Sequence, residues 1–126
     1  MDFSYETGKD GDKYNLIFYN DSHVYLGKIE YIFVGNCADI TFFYADPNYC
    51  DEEMYKKFYL EFEIYIENYG ITKISIHVKE YFDFYGILEK IYYELGFHKE
   101  GIESVHYRNG SCFRKIKMGK HIILGR

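Results

Sequence analysis

Three stretches decide the fold: Ala38-Asp39-Ile40-Thr41-Phe42-Phe43-Tyr44-Ala45, then Asp51 to Tyr69, then Lys73-Ile74-Ser75-Ile76-His77-Val78-Lys79. In the first, Ile40, Phe42 and Tyr44 alternate with Asp39, Thr41 and Phe43, the period of a strand. In the second, Met54, Phe58, Phe62, Tyr65, Ile66 and Tyr69 recur at three and four, while Lys56, Lys57, Glu63 and Glu67 fall largely on other faces, the period of an amphipathic helix that Gly70 stops. The third alternates again. A strand, a helical crossover and a strand imply that the two strands run parallel and side by side.

Working outward, Phe3-Ser4-Tyr5 and Tyr14 to Tyr19 flank Gly8-Lys9-Asp10-Gly11-Asp12, which reads as a hairpin or as a loose arm. Asn20-Asp21-Ser22 is a turn, and His23 to Val34 is a long strand with Gly27 marking a bulge. Towards the carboxyl end, a second helix runs from about Asp83 to Leu95 and Gly96 ends it. Phe97 to Arg108 and Ser111 to Met118 flank Asn109-Gly110, a strong hairpin signal. The reading is a single domain over residues 1–126, of α/β (α+β) class, with a mixed sheet of six or seven strands and two main helices.

Composition agrees with that scale. The sequence has 126 residues, 48% of them hydrophobic and 21% aromatic, with sixteen Tyr and eleven Phe, enough for a substantial core. Abundant Ile and Lys beside the aromatics are also what an A/T-rich coding sequence produces. No run approaches the roughly 18 to 20 apolar residues of a membrane span, and the acidic start Met1-Asp2-Phe3-Ser4-Tyr5-Glu6 is unlike a secretory signal. The three cysteines Cys37, Cys50 and Cys112 form no C-x-x-C pair and suit a reducing compartment, so cytoplasm or nucleus is expected. A net charge of −5 argues against nucleic acid as a partner. The late cluster Arg114, Lys115, Lys117, Lys120 and Arg126 reads as a solvated strand face or as a dock for a phosphate or acidic partner. His77, His98, His106 and His121 lack metal-ligand spacing, and no P-loop or Rossmann glycine set occurs.

Asp46-Pro47-Asn48-Tyr49 is similar to the D-P-x-Y that joins the fourth strand to the cofactor helix in many GNAT N-acetyltransferases. Ile91-Tyr92-Tyr93-Glu94-Leu95-Gly96-Phe97 with Lys99-Glu100-Gly101 resembles that family's Y-x-x-x-G-F-x-x-x-G segment, and Tyr107 to Met118 its last hairpin. The resemblance implies a minimal GNAT-like fold without the family's usual first two helices, which opens the acceptor side. It also implies acetyl-CoA as cofactor, held by the backbone of Phe43 and Ala45 along the pantetheine arm. The family's pyrophosphate loop, Q/R-x-x-G-x-G/A, falls on Cys50, Glu53 and Tyr55, and Tyr85 falls where an asparagine often touches the coenzyme.

By the same resemblance Tyr92 is the general acid beside the coenzyme sulfur, and Asp39, in a strand similar to A-E-I-x-F of the histone-acetylating branch, is the base. Tyr92 could equally pack a helix on the sheet, and Asp39 could be a strand-edge aspartate. Glu53 and Tyr55 stand where the two phosphate-binding glycines fall, and Asp51, Glu52 and Glu53 put carboxylates in the first helical turn. At around 5 Å and an effective dielectric near 20, one unit-charge repulsion is roughly 3 kcal/mol before screening. Two functions follow: a divergent acyl-CoA-dependent N-acetyltransferase acting on a protein or small amine, or an inactive GNAT-fold module that binds a macromolecular partner or a second copy of itself.

Overall fold

The computed structural model describes residues 2–81, 87–101 and 104–122. Strands β1 (Phe3–Asp10), β2 (Lys13–Asn20), β3 (Tyr25–Val34) and β4 (Cys37–Ala45) form an antiparallel meander. Helix α1 (Glu52–Glu67) crosses to β5 (Lys73–Tyr81), and helix α2 (Ile87–Glu94) leads to β6 (His98–Lys99), β7 (Ser104–Arg108) and β8 (Ser111–His121). One eight-stranded sheet in the order β1-β2-β3-β4-β5-β8-β6, with β7 also on β8, contains all of them.

The amino-terminal segment is a hairpin, not an arm, and no helix lies between β1 and β4. The sheet exceeds the expected six or seven strands because 97–108 is not one strand. Gly101, at φ +82, breaks it into β6 and β7. Asn109 and Gly110 both take positive φ, as a two-residue hairpin loop requires.

Both helices pack on one face of the sheet. Phe58, Tyr59, Phe62 and Ile66 of α1 are fully buried against Leu16, Phe18, Ile29 and Ile74, and Ile91 and Tyr92 of α2 complete the same core. Burying each large apolar side chain contributes about 1.5 to 3 kcal/mol, and this contact fixes α1 far more firmly than its helix propensity could. Asp51 caps α1 by accepting a hydrogen bond from the Met54 amide at 2.9 Å. The late basic cluster divides by strand alternation. Arg114 and Lys120 turn to the helices and pair with Glu89 and Glu63 at 2.5 and 2.8 Å, while Lys115 and Lys117 take the opposite face; Arg126 lies outside the described residues.

Two bulges shape the centre of the sheet. Phe18 pairs with Gly27 and Tyr19 with Tyr25, so Leu26 is the extra residue on β3, beside the expected glycine. Glu30 pairs with Phe42 and Tyr31 with Ile40, leaving Thr41 as the extra residue on β4. This second bulge overturns simple alternation: Phe43, not Phe42, joins Ile40 on the helix side, and Phe42 and Tyr44 are exposed. A one-residue insertion exchanges the faces of everything after it.

Candidate active site

The β4 bulge sits where the parallel ladder ends. Cys37 to Ile40 pair with Lys73 to Ile76, and from Thr41 onward β4 parts from β5. The opening is a cleft of about 560 Å³, lined by Asp39 to Phe43 on one strand, Ile76 to Lys79 on the other, and Tyr55, Leu88 and Tyr92 from the helices. The expected parallel pairing of the two strands is thus present, and so is their divergence. Asp39 and Tyr92, the expected base and acid, come from distant parts of the chain and line the same cleft.

Asp39 lies directly across from Ser75, whose hydroxyl donates to Oδ1 at 2.8 Å. That bond orients the carboxylate of a residue that lines the cleft. The sequence reading missed Ser75, although its place opposite Asp39 follows once the register is known.

Tyr92 is held by the end of its own helix. Gly96 takes φ +96, the Phe97 amide donates to the Tyr92 carbonyl at 2.9 Å, and the Gly96 amide donates to that of Tyr93 at 3.1 Å. This is a Schellman cap, in which residue types three before and two after the helix end usually touch; the Tyr92 and Phe97 rings do, with centroids 5.2 Å apart. The Tyr-x-x-x-Gly-Phe spacing therefore has a structural cause of its own. Its phenol is 2.6 Å from that of Tyr55.

Tyr55 occupies the place where the resemblance has a glycine. Its ring stacks on Phe43 with centroids 4.0 Å apart and planes 10° from parallel. Burial pushes both phenols above the ordinary tyrosine range; for Tyr92 the neighbouring Tyr55 adds to the rise, whereas for Tyr55 the hydrogen bond partly opposes it. Both stay protonated at neutral pH and can donate a proton.

Cys50 and Glu53 line a separate groove at the start of α1 with Pro47, Tyr49, Asp51, Met54 and Lys57. The Cys50 thiol donates to the Leu26 carbonyl at 3.6 Å, and burial, then the charge of Asp46, pushes its pKa up, so it is no activated nucleophile. Glu53 is exposed, and Asp51 already uses the Met54 amide. This helix start presents the carboxylates of Asp51, Glu52 and Glu53, and one of its amides is already capped by Asp51, so the diphosphate of coenzyme A does not fit there in the family's manner. Ala45 follows Phe43 along the parting strand with its side chain against the core. Tyr85 lies outside the described residues. Among the described residues no group of His, Cys, Asp and Glu is arranged to hold a metal, and no helix is long and apolar enough to cross a membrane.

No family model matches the sequence, and neither does any curated protein. Solved structures do. The ribosomal-protein-S18-alanine N-acetyltransferase from Escherichia coli superposes with a TM-score of 0.77 at 14% identity, over 94% of this chain and 74% of that one. Mutant forms of the spermidine/spermine N-acetyltransferase SpeG from Vibrio cholerae give 0.73 at 18% identity, over 89% and 68%. A Bacillus subtilis acetyltransferase in complex with CoA gives 0.77 at 10% identity, over 97% and 100%. Likeness at such identities is one of fold, and with the strand order, the parting of β4 from β5 and two helices on one face, it establishes that this chain has the GNAT N-acetyltransferase fold.

Proposed function

We propose that the protein is an N-acetyltransferase that moves an acetyl group from an acyl-CoA thioester to an amine. The observation that carries this reading is the convergence of Asp39 and the Tyr55–Tyr92 phenol pair on one cleft, where β4 parts from β5. Amine attack on a thioester needs a base for the ammonium proton and a donor for the departing thiolate. Asp39, oriented by Ser75, accepts the proton on its carboxylate. Tyr92 supplies the donor, with Tyr55 relaying the proton through the shared hydrogen bond. Thr41, the extra residue of the bulge, lines the cleft, which supports a role for the strand backbone there in polarising the thioester carbonyl. The relatives in fold act on a ribosomal protein's alanine and on spermidine or spermine; the sheet face opposite the helices, uncovered among the described residues, suits an amine carried on a protein as well as a small one.

The Tyr55 ring favours a second reading. It stands where the family has glycine and occupies the partner position of Tyr92, and the adjoining helix start is acidic, as in a module that has lost its coenzyme and binds a macromolecule or a second copy through its open face. Calorimetric titration with acetyl-CoA, followed by chromatographic measurement of free coenzyme released with spermidine and with an alanine-terminated peptide, decides between them. Binding with amine-dependent release that Asp39→Asn abolishes supports the transferase. Absence of both binding and release overturns it in favour of the module.

A further inference from the structure

Cys37 and Asp39 alternate on β4 with the core residues Ala38 and Ile40, so both stand on the sheet face opposite the helices. The hydroxyl of Ser75 on β5 meets both of them: it donates to Asp39 Oδ1 at 2.8 Å and lies 3.4 Å from the Cys37 sulfur. Ser75 is only 6% exposed. Its partner on β8 is Gly119, where an added Cβ would stand 2.5 Å from the Glu100 carboxylate, and Glu100 in turn pairs with Lys73, the residue facing Cys37 across the ladder. Among the described residues no other side chain hydrogen-bonds to the Ser75 hydroxyl.

A serine hydroxyl carries one proton and two acceptor lone pairs, and an ionised carboxylate can only accept. The Ser75 proton is therefore committed to Asp39, and the contact with sulfur is a hydrogen bond in which the Cys37 thiol donates to Ser75 Oγ. The chain has one direction, from Cys37 through Ser75 to Asp39. We infer that Cys37 is a positioning residue for Asp39 that acts through Ser75. A hydroxyl rotates to suit its partners; a donor behind it restrains that rotation, polarises the O–H bond and strengthens the next link. Because Ser75 is buried, water is poorly placed to substitute for the thiol, and its loss loosens the carboxylate that must meet the incoming amine. The effect on turnover rests on the transferase reading; the hydrogen-bond chain does not.

The test uses the whole chain as wild type, Cys37→Ala, Ser75→Ala and the double variant, each checked for folding by circular dichroism. Infrared difference spectra with and without Cys37→Ala isolate the S–H stretch of Cys37 from those of Cys50 and Cys112, in the wild-type and the Ser75→Ala backgrounds. A donating thiol absorbs at lower frequency than a free one, so the Cys37 band should move up when the Ser75 hydroxyl is removed. In steady-state acetyl transfer, Cys37→Ala should lower kcat about two- to fivefold, the scale of one weak hydrogen bond, and leave KM for acetyl-CoA unchanged. In the Ser75→Ala background the same substitution should lower kcat no further, because the chain is already broken. A cysteine that merely fills space would give the same loss in both backgrounds. An S–H band indifferent to Ser75→Ala, an unchanged kcat in Cys37→Ala, or equal kcat losses in the two backgrounds would overturn the proposal. A shifted band in a wild type that transfers no acetyl group would keep the chain and overturn the transferase reading.

Discussion

The phenol of Tyr55 lies 2.6 Å from that of Tyr92 and joins the two helices beside the cleft, and burial raises the pKa of both. Removing either hydroxyl therefore leaves the other buried without its partner, and Tyr55→Phe and Tyr92→Phe should each cost about 1 to 3 kcal/mol in urea unfolding. Tyr92→Phe, which removes the proposed proton donor, should also lower acetyl-transfer turnover. Unchanged urea midpoints in both variants would contradict a buried hydrogen bond between the two phenols.

Asp39→Asn should lower kcat by about 10² to 10⁴, the ordinary range for a general base, with the folded structure retained. Ser75→Ala, which removes only the hydroxyl donating to Oδ1, should produce a smaller fall in kcat and leave KM for acetyl-CoA unchanged. Steady-state kinetics of both variants, beside their circular dichroism, test the pair. A larger defect in Ser75→Ala than in Asp39→Asn would remove the carboxylate from its role.

Glu89 on α2 accepts a hydrogen bond from the buried Arg114 and pairs with Lys99 at 3.3 Å. Burial raises its pKa, but the bonds and charges of Arg114 and Lys99 together outweigh that and hold it below the usual carboxylate range. A folded pKa below the unfolded one gives stability that is present above about pH 4.3 and is lost as pH falls through the folded value. Glu89→Gln should cost about 3 kcal/mol at pH 7, by weakening a buried pair, and its deficit should shrink towards pH 3. Urea titrations at the two pH values measure both quantities.

Gly27 lies beside the β3 bulge, and a Cβ there would stand 2.1 Å from the Tyr44 carbonyl oxygen. Backbone cannot move aside as a flexible side chain can, so Gly27→Ala should destabilise by about 3 kcal/mol or more. Because Tyr44 lies on the segment of β4 that parts from β5, the same variant should disturb ligand binding in the cleft. Unchanged urea midpoint and unchanged binding would mean that the strands re-pair without cost.

Local pattern in the sequence determined the element order. The 3.6 period of Met54, Phe58, Phe62 and Ile66 fixes α1, and the demand for positive φ at Gly96 and Asn109-Gly110 fixes a helix end and a hairpin, because these are properties of neighbours in the chain. The parallel pairing of β4 and β5 was also legible, since a helical crossover allows little else. Tertiary structure alone decided the site. The Thr41 bulge, which turns Phe43 inward, depends on β3 pairing with β4, and the contact of Ser75 with Asp39 depends on the register between strands separated by a helix. The stack of Tyr55 on Phe43, its bond to Tyr92, and the approach of Cys37 to Ser75 likewise join residues distant in sequence. Periodicity says which face a residue takes within its own element, but not which residue stands opposite it, and the chemistry of this cleft lies in those pairings.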